Sequence, residues 1–242
     1  MILNGKKLKR FPFSDSRGHY GESGQLHIAE DIMGTRFLVK SKPADVSNEY
    51  VAHRLGKIIG VPTSDAVLIE DRGSIDVGIV FEKDFKRTNF NDFIGQEHYP
   101  DDSPYFADLM AYLSFRNLIV LEDNPQLAFA GNRLISFDYA ESFYMTNSVY
   151  GALNLTGNYN LPVSVFKDHL FLQSGYQYAL EILKRPGSDS LLDAFLDPIF
   201  KFQESDLEPI LCDLQSAFPK VISSFYRECF NAINDEINKL KE

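Results

Sequence analysis

Only two cysteines, Cys212 and Cys229, occur in the 242 residues. Both fall in a C-terminal stretch that reads as helical, and they provide neither a disulfide framework nor a metal-ligand spacing. The five histidines show no paired helical spacing of the kind a zinc site uses. No apolar run approaches the ~20 residues that a membrane-spanning helix requires. The opening Met1-Ile2-Leu3-Asn4-Gly5-Lys6-Lys7 lacks the apolar core of a signal peptide. These absences predict a cytoplasmic protein without membrane contact. Basic surface is scarce too: the formal net charge is −10 and the pI about 5.0. Its one concentration, Lys6, Lys7, Lys9 and Arg10, fits a solvated strand edge. Nucleic-acid binding is not expected, because it needs a broad basic face that displaces counterions from phosphates.

What is present suffices for a large core. The chain is 44% hydrophobic, with 20 Phe and 12 Tyr, and its length suits one large domain or two packed lobes. Up to about residue 40 it reads as strands broken by polar turns. Leu26-Ile28 and Phe37-Leu38-Val39-Lys40 are strands, with Met33-Gly34 turning between them. A helix follows, with Ser47 or Asn48 as its cap, an apolar face of Val51, Leu55, Ile58 and Ile59, and a stop at Gly60 and Pro62. Ala66 to Ile69 and Val77 to Phe81 are further strands. From Phe106 to Val120 the pattern predicts a long apolar helix. The turn Glu122-Asp123-Asn124-Pro125 comes next, then a hairpin that turns at Gly131-Asn132. From about Pro162 the chain reads as helices separated by Pro186-Gly187, Pro198 and Pro209, closing with a helical tail from Phe218 to Lys241. Strands leading and helices following indicate an α+β protein with two lobes.

Four elements fall in the order that a nucleotide-phosphate site requires. The turn Gly21-Glu22-Ser23-Gly24 can bring backbone N–H groups close to phosphate oxygens, and it fits a plain surface hairpin as well. Lys40, ending an apolar strand, suits phosphate neutralisation or simple snorkelling to solvent. Glu49, read as lying in the first turn of the next helix, fits the helix dipole or a partnership with Lys40. Asp138 ends the apolar strand Leu134-Ile135-Ser136-Phe137, where a carboxylate is costly unless a cation or a capping role meets it.

Taken together, these segments resemble the small HipA-like kinases. The resemblance rests on Phe37-Leu38-Val39-Lys40, Asn48-Glu49-Tyr50-Val51-Ala52, Ile59-Gly60-Val61-Pro62, Asn124-Pro125-Gln126-Leu127 and Leu134-Ile135-Ser136-Phe137-Asp138-Tyr139-Ala140. It covers roughly residues 20 to 145. It implies a bilobal protein-kinase-like fold with a β-rich N-lobe over 1–85 and a mostly helical C-lobe over 86–242, carrying a metal-site hairpin near 124–140. It also implies ATP and Mg²⁺ as ligands. Gly21, Ser23, Gly24, Lys40 and Glu49 would then serve the phosphates, Phe81, Glu82 and Lys83 the adenine hinge, and Asn124 and Asp138 the metal.

The sequence departs from the family at the catalytic base, which lies five residues before the metal-binding Asn. That position here is Ile119, which accepts no proton. Asp123 or Glu122 is the candidate stand-in; a gapped match would instead pair Asp123 as base with Gln126 as metal ligand. Ala140 replaces the glycine that follows the family's metal-binding Asp. Two functions follow from the resemblance. One is a serine/threonine kinase acting on a protein, with Ser14, Ser16 and Ser23 as conceivable self-modified sites. The other is a pseudokinase serving as a nucleotide-binding or protein-interaction module. An unrelated α+β binding protein is the third reading.

Overall fold

The computed structural model describes residues 2–12, 26–80, 85–89, 104–121, 126–157, 174–184 and 189–241. The first half is a six-stranded sheet. Its strands are β1 (Ile2–Asn4), β2 (Lys9–Pro12), β3 (His27–Glu30), β4 (Arg36–Lys40), β5 (Ala66–Asp71) and β6 (Ser74–Val80), in the spatial order β1-β5-β6-β4-β3-β2. All pairings are antiparallel except that of β1 with β5, which is parallel.

The period-2 alternation of a strand decides what each face holds. Phe37 and Val39 of β4 pack with Ala29 and Ile69 in a small cluster on one face. Leu38 and Lys40 therefore point to the other face, where Ala66, Leu68 and Val77 join the main core. Gly78 leaves space on the Phe37 side: a Cβ there would lie 2.7 Å from Ile69 Cδ1 and 3.2 Å from Phe37 Cβ, so these side chains would have to shift.

Helix α1 (Pro43–Ile58) covers the Lys40 face. It begins at Pro43, with Lys42 as an N-cap that makes no side-chain hydrogen bond. The expected caps Ser47 and Asn48 lie instead inside the helix, and both are fully buried. Proline's fixed φ starts the helix without a polar cap. The stop is as the sequence predicts: Gly60 adopts φ +83°, and Val61 N–H returns 2.8 Å to Gly56 O.

The second half is mostly helical. Its described helices are α2 (Pro104–Leu118), α3 (Asn147–Thr156), α4 (Ser174–Leu183), α5 (Asp189–Lys201), α6 (Glu208–Ala217) and α7 (Lys220–Lys241). Helix α3 and the strand β7 (Lys86–Asn89) are not among the expected elements. β7 pairs with the hairpin β8 (Gln126–Ala130) and β9 (Arg133–Ser136) to make a three-stranded sheet. Pro198, expected to separate helices, lies within α5, whereas Pro209 occupies the first turn of α6, where no N–H is needed. One continuous core joins α1 to α2 and to the later helices. None of the described helices is long and apolar enough to cross a membrane.

Asp108 of α2 fastens the hairpin to this core. Its buried carboxylate receives a two-pronged hydrogen bond from Arg133 at 2.8–3.0 Å and the Leu134 N–H at 2.8 Å. Asp108→Ala leaves that N–H buried and unpaired, a loss of about 2–3 kcal/mol. Urea denaturation should show the midpoint falling accordingly, and an unchanged midpoint would remove Asp108 from this role.

Candidate functional site

The site forms where β4, α1 and the segment after β9 converge. Lys40 is the last residue of β4 on the α1 face, only 8% exposed. Its ammonium donates to Glu49 Oε1 and, at 2.5 Å, to Asp138 Oδ1. Glu49 is fully buried. It stands in the second turn of α1, not the first as expected, so Lys40 holds it in place and the helix dipole does not. The carboxylate in the first turn is Asp45.

Asp138 follows β9 in the left-handed backbone region, φ +68°, a conformation that aspartate tolerates better than most residues. Its side chain is 35% exposed, so this carboxylate opens toward solvent from an otherwise closed cluster. One ammonium faces two carboxylates here, and the electrostatics follow from that. Burial alone would lower the Lys40 pKa, but Glu49 and Asp138 outweigh it and hold the ammonium above its ordinary value. Burial works against ionised Glu49 as well, yet Lys40 and His53 bring its carboxyl down to about 2. Asp138 comes out above its ordinary value, through burial and the Glu49 charge, despite Lys40. The cluster thus stabilises Lys40 and Glu49 as ions and leaves Asp138 short of positive charge.

Two polar networks brace the cluster. His53 lies one turn after Glu49, with Nε2 3.3 Å from Glu49 Oε2, although the pair does not meet hydrogen-bond alignment. Its Nδ1 is 2.9 Å from Ser64 O and 2.7 Å from Thr63 Oγ1. Thr63 Oγ1 donates to Ser136 O at 3.2 Å and accepts from Tyr139 OH at 3.3 Å. Ser136 N–H in turn donates to Pro62 O at 3.0 Å. The residues just before and just after Asp138 are thereby tied to the chain leaving α1. On the other side, Asn48 Nδ2 donates to Ala140 O at 2.5 Å and to Met145 O at 3.0 Å.

Of the expected site residues, the structure brings together Lys40, Glu49 and Asp138. Gly21, Ser23, Gly24, Phe81, Glu82, Lys83, Asp123 and Asn124 lie outside the described residues. Ile119 is a fully buried core residue, and its carbonyl accepts the Phe143 N–H at 2.7 Å; it contributes packing and a backbone tie, with no acid–base group. Gln126, the alternative metal ligand, has its Oε1 engaged by Arg87. Val120, directly after Ile119, holds φ +52° while fully buried. For a β-branched residue that is strain of about 1–2 kcal/mol, placed at the end of α2 ahead of Asp123 and Asn124.

His53, Asn48 in its bridging role, and Tyr226, which meets Asn48 from α7, were not anticipated as site residues. The Glu49–His53 spacing of four is a helical-face signal that could have pointed to His53. Nothing local points to Tyr226.

Among the described residues no group of three or more His, Cys, Asp or Glu side chains forms a metal cage.

No protein-family model matches the chain, and no curated protein matches it in sequence. Among solved structures, the crystal structure of a Helicobacter pylori proinflammatory kinase, CtkA, is similar to it with a TM-score of 0.60. That match covers 89% of this chain and 92% of that chain, at 14% identity. The chain therefore has an α+β, bilobal protein-kinase-like fold, β-rich first and mostly helical after.

Two outcomes follow from the charges. A folded-state pKa depressed below the ordinary 4.5 means that Glu49 contributes fully above that pH and loses its contribution as pH falls toward about 2. Glu49→Gln should cost about 3–5 kcal/mol near neutrality, because Lys40 loses its buried partner. In urea unfolding the gap from wild type should shrink between pH 4.5 and 2; a gap independent of pH would refute this account. For Asp138 the sign reverses: its ionised form is disfavoured by folding, so Asp138→Asn should raise the melting temperature, and a lower one would contradict the charge imbalance.

Proposed function

We propose that this kinase-like fold binds Mg-ATP between its two parts and transfers the terminal phosphoryl group to a hydroxyl of a protein, as a HipA-like serine/threonine kinase. The observation that carries the reading is the buried Lys40–Glu49 pair facing Asp138. Kinases use a strand lysine held by a helix glutamate to contact ATP phosphates, and an aspartate after a short strand to hold Mg²⁺.

In this reading Lys40 contacts the phosphates and Glu49 keeps its ammonium aimed at them. Asp138, short of positive charge and open to solvent, and Asn124 would hold the cation. Bound there, Mg²⁺ would neutralise phosphate charge and orient the phosphoryl group. Gly21, Ser23 and Gly24 would serve the phosphates through backbone N–H groups. Phe81, Glu82 and Lys83 would meet adenine. The acceptor hydroxyl oxygen bonds to the γ-phosphorus, the bond from that phosphorus to the β–γ bridging oxygen breaks, and ADP leaves. Asp123 takes the hydroxyl proton. The setting proposed is the cytoplasm, with no nucleic-acid or membrane partner.

A second reading, a pseudokinase that binds nucleotide or a protein partner with little or no transfer, is favoured by one observation. The place of the family's base is filled by Ile119, sealed in the core. General-base help is worth about 10²–10⁴ in rate, whereas nucleotide binding rests on other groups.

Calorimetric titration with ATP, with and without Mg²⁺, tests the shared premise. Mg-dependent binding is expected, weakened by Lys40→Met and stripped of its Mg dependence by Asp138→Ala. No binding in either condition would defeat both nucleotide readings. Transfer from radiolabelled ATP then separates them: the kinase reading expects turnover that drops by about 10²–10⁴ in Asp123→Ala. Mg-dependent binding without any turnover selects the pseudokinase.

A further inference from the structure

Asn48 precedes Glu49 on α1 and is fully buried. Its two amide protons go to Ala140 O and Met145 O at 2.5 and 3.0 Å. Its Oδ1 receives the Tyr226 hydroxyl at 2.7 Å. Facing two carbonyls, only the amide nitrogen can be the bridging atom, so the side chain has one workable orientation. The Tyr226 hydroxyl also lies 2.9 Å from Ser47 Oγ, and its ring meets Phe143 edge-on at 5.4 Å between centroids. Phe143 in turn packs on Phe230 at 5.6 Å.

The segment that carries Asp138 is thus gripped at three points. Its carbonyls at Ala140 and Met145 are held by Asn48, and its N–H at Phe143 is tied to Ile119 O. Two of these grips come from the neighbour of Glu49. A rotation of α1 that moved Glu49 away from Lys40 would withdraw Asn48 from both carbonyls at the same time.

We infer that Asn48 and Tyr226 are positioning residues, forming a buried latch that fixes the Asp138 segment relative to the Glu49 helix. Neither is among the residues proposed to hold nucleotide or metal; they set where the two carboxylates stand. What the latch does for Mg-ATP rests on the function proposed above, while the latch itself is a property of the fold.

The test compares two hydroxyl deletions in the full chain. Tyr226→Phe keeps the ring and removes the latch bond. Tyr50→Phe removes a different bond between α1 and the helical part, from Tyr50 to Asp213, without reaching residues 138–145. Hydrogen–deuterium exchange of peptides spanning 138–145 should run about tenfold faster in Tyr226→Phe and stay at the wild-type rate in Tyr50→Phe. Equal rates in Tyr226→Phe and wild type, or equal acceleration in both variants, would overturn the latch. In titrations, Tyr226→Phe should weaken ATP binding about tenfold with Mg²⁺ present and leave Mg-free binding unchanged; equal weakening in both conditions also overturns it. A wild-type chain that binds no Mg-ATP sinks the proposed function instead, and the exchange comparison then decides the latch alone.

Discussion

Removing an ammonium and a carboxylate from water costs several kcal/mol for each ion, and here Lys40 and Glu49 are both almost wholly enclosed. Such a pair persists only where its partners are delivered to the same few cubic ångströms from different parts of the chain. β4 supplies the ammonium at its end, α1 supplies one carboxylate, and the segment after β9 supplies the other. β4 and α1 would each bury an uncompensated charge if the other moved away, while Asp138, partly open to solvent, adds a second contact to the same ammonium. The ion cluster therefore acts as a constraint on the joint between sheet and helices.

Neutral groups meet that constraint. The Thr63, Ser136 and Tyr139 hydroxyls link the exit of α1 to the end of β9, and the Asn48 amide links its middle to the far side of Asp138. Buried hydrogen bonds of this sort contribute modestly when made and cost heavily when broken, which suits a joint that must hold one geometry. Where the geometry is held most tightly the backbone is also least relaxed. Asp138, Phe143 and Tyr144 all have positive φ, conformations that survive only when their surroundings determine them from several sides.

Much of this was legible in the sequence. Strand alternation puts Lys40 on the same face as Leu38, the order Lys40, Glu49, Asp138 is readable by eye, and the β8–β9 hairpin announces itself at Gly131-Asn132. The strand face and the hairpin are local, set by periodicity and turn chemistry within about ten residues, whereas Lys40 and Asp138 lie 98 residues apart and only their order along the chain could be read. Two readings failed, and one strand went unread, where tertiary context outweighed a local rule. Ser47 and Asn48 read as caps because short polar side chains favour helix starts, yet they are interior residues whose partners lie on α7 and beyond β9. Pro198 reads as a break, but a proline can be kept within a helix that the core holds on its apolar face. β7 has almost no apolar pattern, and only its pairing with β8 makes it a strand. Tyr226 was out of reach for a further reason: its partner is 178 residues away, and no spacing rule reaches so far.

That separation has a consequence for how the protein comes into being. A chain leaves the ribosome from its N-terminus at about 5–20 residues per second, so α1 waits roughly ten to thirty-five seconds before Tyr226 is synthesised. Through that interval Asn48 has no hydroxyl to accept from, and for its first part neither Ala140 nor Met145 exists to hold. The nascent sheet and helix would carry a polar, half-charged face with nothing to close it. The hydrogen-bonded latch around Asn48 is thus completed late in translation, and a nascent chain halted before α7 would lack the tyrosine that closes it.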